Sequence, residues 1–170
     1  GGELVAEHLA HLGHSRVAVV GSIPRLASSA NRVEGFTREW KRLTGAQPLV
    51  IEGAFDEFSG YEAARGLESA IRGGDLTGVF ALNDLIALGV LRRLREVGVS
   101  VPVDCSVVGF DDIPTARHTS PALTTVRQDP VNMGAVAVNR LLDHLLGLPT
   151  PEPGRQVLPV ELVVRESAAP

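Results

Sequence analysis

The chain has a single cysteine among 170 residues, Cys105, which excludes an internal disulfide and any cysteine-cluster metal site. Its place inside an apolar run makes it an inert core thiol rather than a nucleophile, because burial keeps a thiol protonated. A lone cysteine also fits a reducing compartment, so a cytoplasmic setting is expected. Basic charge is equally short: 16 Lys and Arg against 20 Asp and Glu leave a formal net charge of −4. A nucleic-acid-binding surface shows a basic excess or a basic stripe, and neither is present. The densest cluster, Arg92, Arg93 and Arg95, falls on a predicted helix and reads as a solvated face. The chain by itself is therefore a poor DNA binder. No apolar run reaches the ~18 residues that a membrane span requires. No leader sequence opens the chain. It starts Gly1-Gly2-Glu3, without methionine, and runs directly into a helix, as expected of an excised fragment.

Enzyme signatures are missing too. There is no G-x-S-x-G elbow, no P-loop and no G-x-G-x-x-G. His8 and His11 lie three apart on one predicted helix, but no acid at metalloprotease spacing joins them, and His14, His118 and His144 are scattered. Neither a metal nor a cofactor is implied. Internal repeats and low-complexity tracts are also absent.

What is present is an alternation of strand and helix patterns along the whole chain. Arg16 to Val20, Pro48 to Glu52, Gly78 to Leu82, Cys105 to Phe110 and Thr124 to Val126 read as strands. Continuous apolar runs of this kind suit strands covered on both faces. Between them, helical spacing joins Leu4, His8, Leu9 and Leu12; Val33, Phe36, Trp40 and Leu43; Tyr61, Ala64, Leu67 and Ile71; Leu85, Leu88, Leu91 and Leu94; and Met133, Ala137, Leu141 and Leu145. Pro149 to Gly154, with three prolines, reads as a linker or exposed loop, Val157 to Val164 as one or two strands broken at Pro159, and Ser167 to Pro170 as a frayed tail. The pattern predicts an α/β fold, a mainly parallel sheet with helices on both faces. Right-handed crossovers then place the loops after the strands on a single edge: Gly21 to Ser29, Gly53 to Ser59, Asn83-Asp84, and Asp111 to Ser120.

The chemically distinctive residues cluster in those loops. Arg32 lies near a helix N-terminus, where a cation opposes the helix dipole by roughly 0.3–1 kcal/mol if exposed. Its guanidinium can clamp a hydroxyl pair or a carboxylate, or simply pair with an acid such as Glu34. Asp111 and Asp112 could form an acidic pair, but adjacent residues on an extended chain point in different directions. One can accept hydrogen bonds from a polar ligand, or both can cap the following turn. Asn83 suits either a ligand contact or an N-cap, a role open to Asp84 as well. Phe55 suits stacking on a ring or packing its own loop. Ser28 and Gln128 are equally ambiguous.

These pieces, in this order, resemble the LacI-type bacterial transcription repressors. The resemblance runs through Glu7-His8-Leu9 with Leu12-Gly13-His14, Arg32-Val33-Glu34-Gly35-Phe36 and Ser59-Gly60-Tyr61-Glu62-Ala63-Ala64. It continues in Asn83 to Gly89, Val107 to Asp112, Leu123 to Gln128, and Leu162 to Ser167. It implies a periplasmic-binding-protein-like core of two α/β lobes joined by three crossovers, with the effector in the cleft between them. On that basis residues 1–14 are expected as an N-terminal-lobe helix and residues 15–128 as the C-terminal lobe. Residues 129–147 should cross to an N-terminal-lobe helix, and 148–166 should return to C-terminal-lobe strands. The DNA-binding head would lie upstream of this chain. Carried over residue by residue, the resemblance marks Arg32, Asp111, Asn83 and Phe55 as ligand contacts and Ser28 and Gln128 as lesser ones. It places Leu88 and Thr119 in a dimer interface. Two positions depart from the family pattern: Ala54 and Phe58 stand where acids are common, so the ligand class stays open.

The implied function is the sensory domain of a cytoplasmic homodimeric repressor. It would bind a sugar or nucleoside and touch operator DNA only through the absent head. The alternative is a periplasmic sugar-binding protein of a transporter, which would share the fold. An enzyme on an α/β scaffold is the weakest reading.

Overall fold

The computed structural model describes residues 1–148 and 156–170. The expected linker, Pro149 to Gly154, lies outside the described residues. Strands β1 (Val17–Ser22), β2 (Leu49–Glu52), β3 (Gly78–Ala81), β4 (Ser106–Asp111), β5 (Thr124–Arg127) and β6 (Glu161–Val163) form one sheet in the order β2-β1-β3-β4-β5-β6. Every neighbouring pair is parallel except β5 and β6, which run antiparallel. Helices α1 (Gly2–His11), α2 (Ala27–Thr44), α3 (Glu57–Arg72), α4 (Asp84–Glu96) and α5 (Pro130–Leu145) fill the connections, with a 3-10 helix at Pro114–His118.

The order of strands decides where the helices go. From β1 the chain steps outward to β2 through α2, then back across β1 to β3 through α3 and onward to β4 through α4. Right-handed crossovers in opposite directions lie on opposite faces. Accordingly α2 packs with α1, and α3 packs with α4. β1, β3 and all of β4 but its last residue are buried, which explains why these strands read as unbroken apolar runs. The edge strand β2 is mostly exposed. Beneath α2, the rings of Phe36, Trp40 and Phe80 stack, with Phe36 centred 5.7 Å from Trp40 and 5.2 Å from Phe80.

The α3–α4 contact depends on two glycines of the sequence motifs. A Cβ at Gly60 would stand 2.0 Å from the Ile86 carbonyl oxygen, and one at Gly89 would stand 1.9 Å from that of Glu57. The two helix backbones therefore touch, which brings the N-terminal turns of α3 and α4 side by side at the rim of the sheet.

Three expectations are corrected. Residues 1–14 do not belong to another lobe: α1 packs on α2, and Val5, Ala6 and Leu9 are fully buried in the same core. The apolar stripe of α4 is rotated, so that Ile86, Ala87, Val90, Leu91 and Leu94 face inward while Leu85 is exposed. Leucines spaced strictly three apart drift by about 60° per step around a 3.6-residue helix, so Leu85 and Leu94 cannot share a face. Val157 to Val164, by contrast, holds one strand, Glu161–Val163, beyond Pro159, within the one or two expected. The tail is not frayed at Ser167: its hydroxyl donates to the Val107 carbonyl at 2.6 Å and accepts from the Thr124 amide at 2.8 Å. It fills the gap at the start of β4 and β5, where those strands have not yet met.

Gly89→Ala should destabilise the chain by about 2–3 kcal/mol, the cost of forcing apart a closely packed helix pair. Urea unfolding monitored by the single tryptophan, Trp40, measures this.

Candidate functional site

Because β1, β3, β4 and β5 are parallel, their C-terminal ends share one rim, the usual ligand edge of open α/β sheets. Arg32, in the second turn of α2, reaches it. Its guanidinium donates to the Leu82 carbonyl at 2.5 Å and to Asp111 Oδ1 at 3.3 Å. It lies over the Phe110 ring, 3.7 Å from the centroid, and 6.0 Å from that of Phe55. The side chain is only 13% exposed. Burial lowers its pKa, against the opposing pull of Asp111 and then of Asp84.

Asp111 ends β4 and receives a second donor, Gln128 Nε2, at 2.6 Å. Burial raises its pKa; Arg32 and Gln128 pull the other way without cancelling the rise. Its backbone φ is 114° and that of Asp112 is 54°, the left-handed region that costs a non-glycine residue about 1–3 kcal/mol. The two acids diverge across this positive-φ turn. Asp112, 3% exposed, turns away to Arg165 at 2.5 Å and Arg127 at 2.6 Å. Burial alone would raise its pKa, but those guanidiniums outweigh it and the net shift is downward. Asp112 is therefore an internal ion-pair residue, and Asp111 faces the rim.

Asn83 is the N-cap of α4: its side-chain oxygen accepts from the Ile86 amide at 2.8 Å, and its Nδ2 donates to the Phe55 carbonyl at 3.4 Å. The capping role is thus realised, and it ties the Phe55 loop to the rim. Arg32, Asp111, Gln128, Phe55 and Asn83 form one connected cluster. Ser28 does not join it: it is exposed in the first turn of α2, and among the described residues no hydrogen bond links it to the others. The neighbouring Ser29 is buried and accepts from the Ile23 amide at 2.7 Å. Leu88 and Thr119 line one depression with Glu57, Leu91, Arg92 and His118, and none of the cluster's residues lines it.

One residue escaped the sequence reading in its actual role. Asp84 is wholly buried. One carboxylate oxygen accepts from the Thr125 hydroxyl at 2.6 Å, the other from the Ile113 amide at 2.8 Å. Burial pushes its pKa up to about 6 against those two hydrogen bonds, and the negative charges of Asp111 and Asp112 add to the rise. A Cβ at position 109 would stand 2.2 Å from Asp84 Oδ1, which is why Val107-Val108-Gly109-Phe110 needs its glycine. The pairing of Asn83-Asp84 with a glycine just before the tandem acids was the available signal.

A largely parallel sheet with a polar cluster at one rim and an antiparallel return strand defines a lobe of periplasmic-binding-protein type. The sequence profile of the periplasmic binding protein-like domain matches residues 6–168. The HTH-type transcriptional regulator MalR of Streptomyces coelicolor is 39% identical over 168 residues, covering 98% of this chain and 48% of MalR. A dimeric Lac repressor structure superposes with a TM-score of 0.91 at 34% identity, covering 99% of this chain and 61% of that one. A CelR–cellobiose complex gives 0.88 at 37%, covering 99% and 51%. The chain belongs to the periplasmic binding protein-like domain family. It spans about half the length of the curated relatives it matches. No described helix is long and apolar enough to cross a membrane.

Asp84 makes stability depend on pH. Its folded pKa, about 6, lies above the ordinary 3.8, so its neutral form favours folding and that contribution is lost as pH rises from about 4 through about 6. Asparagine is its neutral isostere. Asp84→Asn should therefore match the wild type near pH 4 and exceed it by about 2–3 kcal/mol at pH 7. Urea unfolding at several pH values checks this; parallel profiles would contradict it.

Proposed function

We propose that this chain is the effector-sensing part of a LacI-type transcription regulator and that its rim binds a small polar ligand, most simply a sugar. The observation that carries the reading is the Arg32–Asp111–Gln128 chain at the rim, backed by the rings of Phe110 and Phe55. A fork of donors beside a carboxylate acceptor matches the adjacent hydroxyls of a sugar, and an aromatic face suits its C–H surface. Without ligand, Arg32 and Asp111 satisfy each other; ligand hydroxyls can take over these bonds in exchange. The strained backbone at Asp111 fits a residue held in place for contact. A relative of known structure, CelR, is described in complex with cellobiose.

Helix α5 supports the two-lobe reading. None of its residues is buried, and Val131, Met133, Val138, Leu141, Leu142 and Leu145 are exposed. A second lobe, from the half of the regulator outside this chain, would cover that face and close over the rim. A ligand binding one lobe arrangement more tightly shifts the population toward it. Operator DNA, held through a head outside this chain, must change ligand affinity by the same factor. The matched relatives are transcription regulators. That favours a cytoplasmic regulator over a transporter's binding protein and over an enzyme. The depression containing Leu88 and Thr119 is the proposed self-association face.

In the full-length regulator, Arg32→Ala and Asp111→Asn should each weaken sugar binding by at least about tenfold, the worth of a charge-assisted hydrogen bond. A thermal-shift and calorimetry panel of cellobiose, maltose and ribose checks this; unaltered binding in both variants contradicts the site. Leu88→Asp should convert the dimer to a monomer in sedimentation velocity, with sugar binding retained.

A further inference from the structure

We infer that Asp84 is the positioning residue of the rim: from beneath, its buried carboxylate fixes the Asp111–Asp112 turn against α4 and β5. The inference rests on the reading of the rim as an effector site, and it adds a residue that no ligand can touch.

Asp84 has no other role open to it. The N-cap of α4 is already Asn83. Ligand contact is excluded by full burial. No arginine or lysine pairs with it among the described residues, whereas Asp111 and Asp112 both have guanidinium partners. Burying an unpaired carboxylate is costly, and a well-packed apolar side chain would be the more stable occupant if packing were all that mattered. What the carboxylate supplies is two acceptors pointing at two different elements, the Thr125 hydroxyl of β5 and the Ile113 amide just past the turn.

That turn needs an external hold. Two consecutive non-glycine residues with positive φ do not sustain themselves and persist only where surroundings over-determine them. Asp112 is tied to Arg127 and Arg165, and Asp111 to Arg32 and Gln128. The Asp84–Ile113 bond is the tie from α4, and it stays in place whatever Asp111 binds. The adjoining residues complete a junction: Leu82 receives Arg32 through its carbonyl, Asn83 holds the Phe55 carbonyl, and Asp84 holds the turn. Three consecutive residues thus set the spacing among the rim side chains. The charged groups facing Asp84 are Asp111 and Asp112 from the end of β4 and Arg32 from α2.

The chemistry of the contact makes the test sharp. Asparagine at position 84 can still accept from the Ile113 amide with its oxygen and donate to the Thr125 hydroxyl with its nitrogen. Alanine can do neither. In the intact chain, amide hydrogen exchange at Ile113 should stay near wild type in Asp84→Asn. In Asp84→Ala it should speed up by about tenfold or more, the loss expected for a hydrogen bond to a charged group. Amides of β3 report global stability, and the change at Ile113 is read relative to them. Carboxyl carbon titration followed by NMR adds a second readout. Asp84 should titrate higher in Thr125→Val, because a hydrogen bond that favours its charged form has gone. If Asp84→Ala does not fold, Thr125→Val removes one acceptor's partner and should loosen Ile113 by an intermediate amount. Unchanged Ile113 exchange in the alanine or valine variant, or equal loss in the alanine and asparagine variants, would overturn the assignment. Neither readout uses an effector, so a failure here leaves the sugar reading intact. Failure of the sugar panel, in turn, leaves this result standing.

Discussion

The contact between the Arg32 guanidinium and the Asp111 carboxylate, over the ring of Phe110, is the interaction around which the rest of the rim is arranged. It joins α2 to the end of β4 across the mouth of the sheet. Each partner is poorly solvated, and the pKa of each moves in the direction that disfavours its charge. Such a pair is a weak source of stability, because desolvation consumes most of what the attraction returns. Under the proposed function, its value is that two opposite charges are held, part-buried, where a ligand carrying both donors and acceptors would exchange places with them.

Holding that pair requires a rigid frame, and the frame begins with strand order. Parallel strands put every loop on one edge, and right-handed crossovers place α2 on one face and α3 with α4 on the other. The close passage of α3 and α4 through Gly60 and Gly89 aligns the Phe55 loop with Asn83. The tandem acids then divide the work by pointing apart. Asp111 serves the rim, and Asp112 binds Arg127 and Arg165 where β5 and β6 leave the sheet. Those are the strands through which the chain departs toward α5 and returns. Under the proposed function, a ligand's pull on Asp111 and the path toward the rest of the regulator would be one residue apart.

Several features were unreadable in the sequence for identifiable reasons. The α4 stripe was misplaced because leucine spacing alone does not say which leucines face inward; Ile86 and Val90 carry the buried face. Assignment of α1 to another lobe failed because lobe membership depends on packing between distant segments, here Val5 and Leu9 against α2. Small residues at Ser167 to Ala169 resembled a loose end, yet they pair with Ser106, Val107 and Thr124, roughly forty to sixty residues upstream. Asp84 looked like a helix cap because surface caps and buried acceptors share the same residue type.

The sequence by itself determined the alternation of strands and helices, the parallel α/β class, the common edge of the loops, and the identity of Arg32, Phe55, Asn83, Asp111 and Gln128 as the residues worth watching. The architecture follows from local periodicity, written in short windows of the chain; the five residues were ambiguous by chemistry alone and were singled out by the family resemblance. Tertiary structure alone decided that Asp111 turns toward Arg32 while Asp112 turns inward, that Ser28 stays apart, and that a buried carboxylate at Asp84 underpins the turn. Each of those outcomes depends on side chains brought together from segments tens of residues apart. In each, burial sets the cost of every charge.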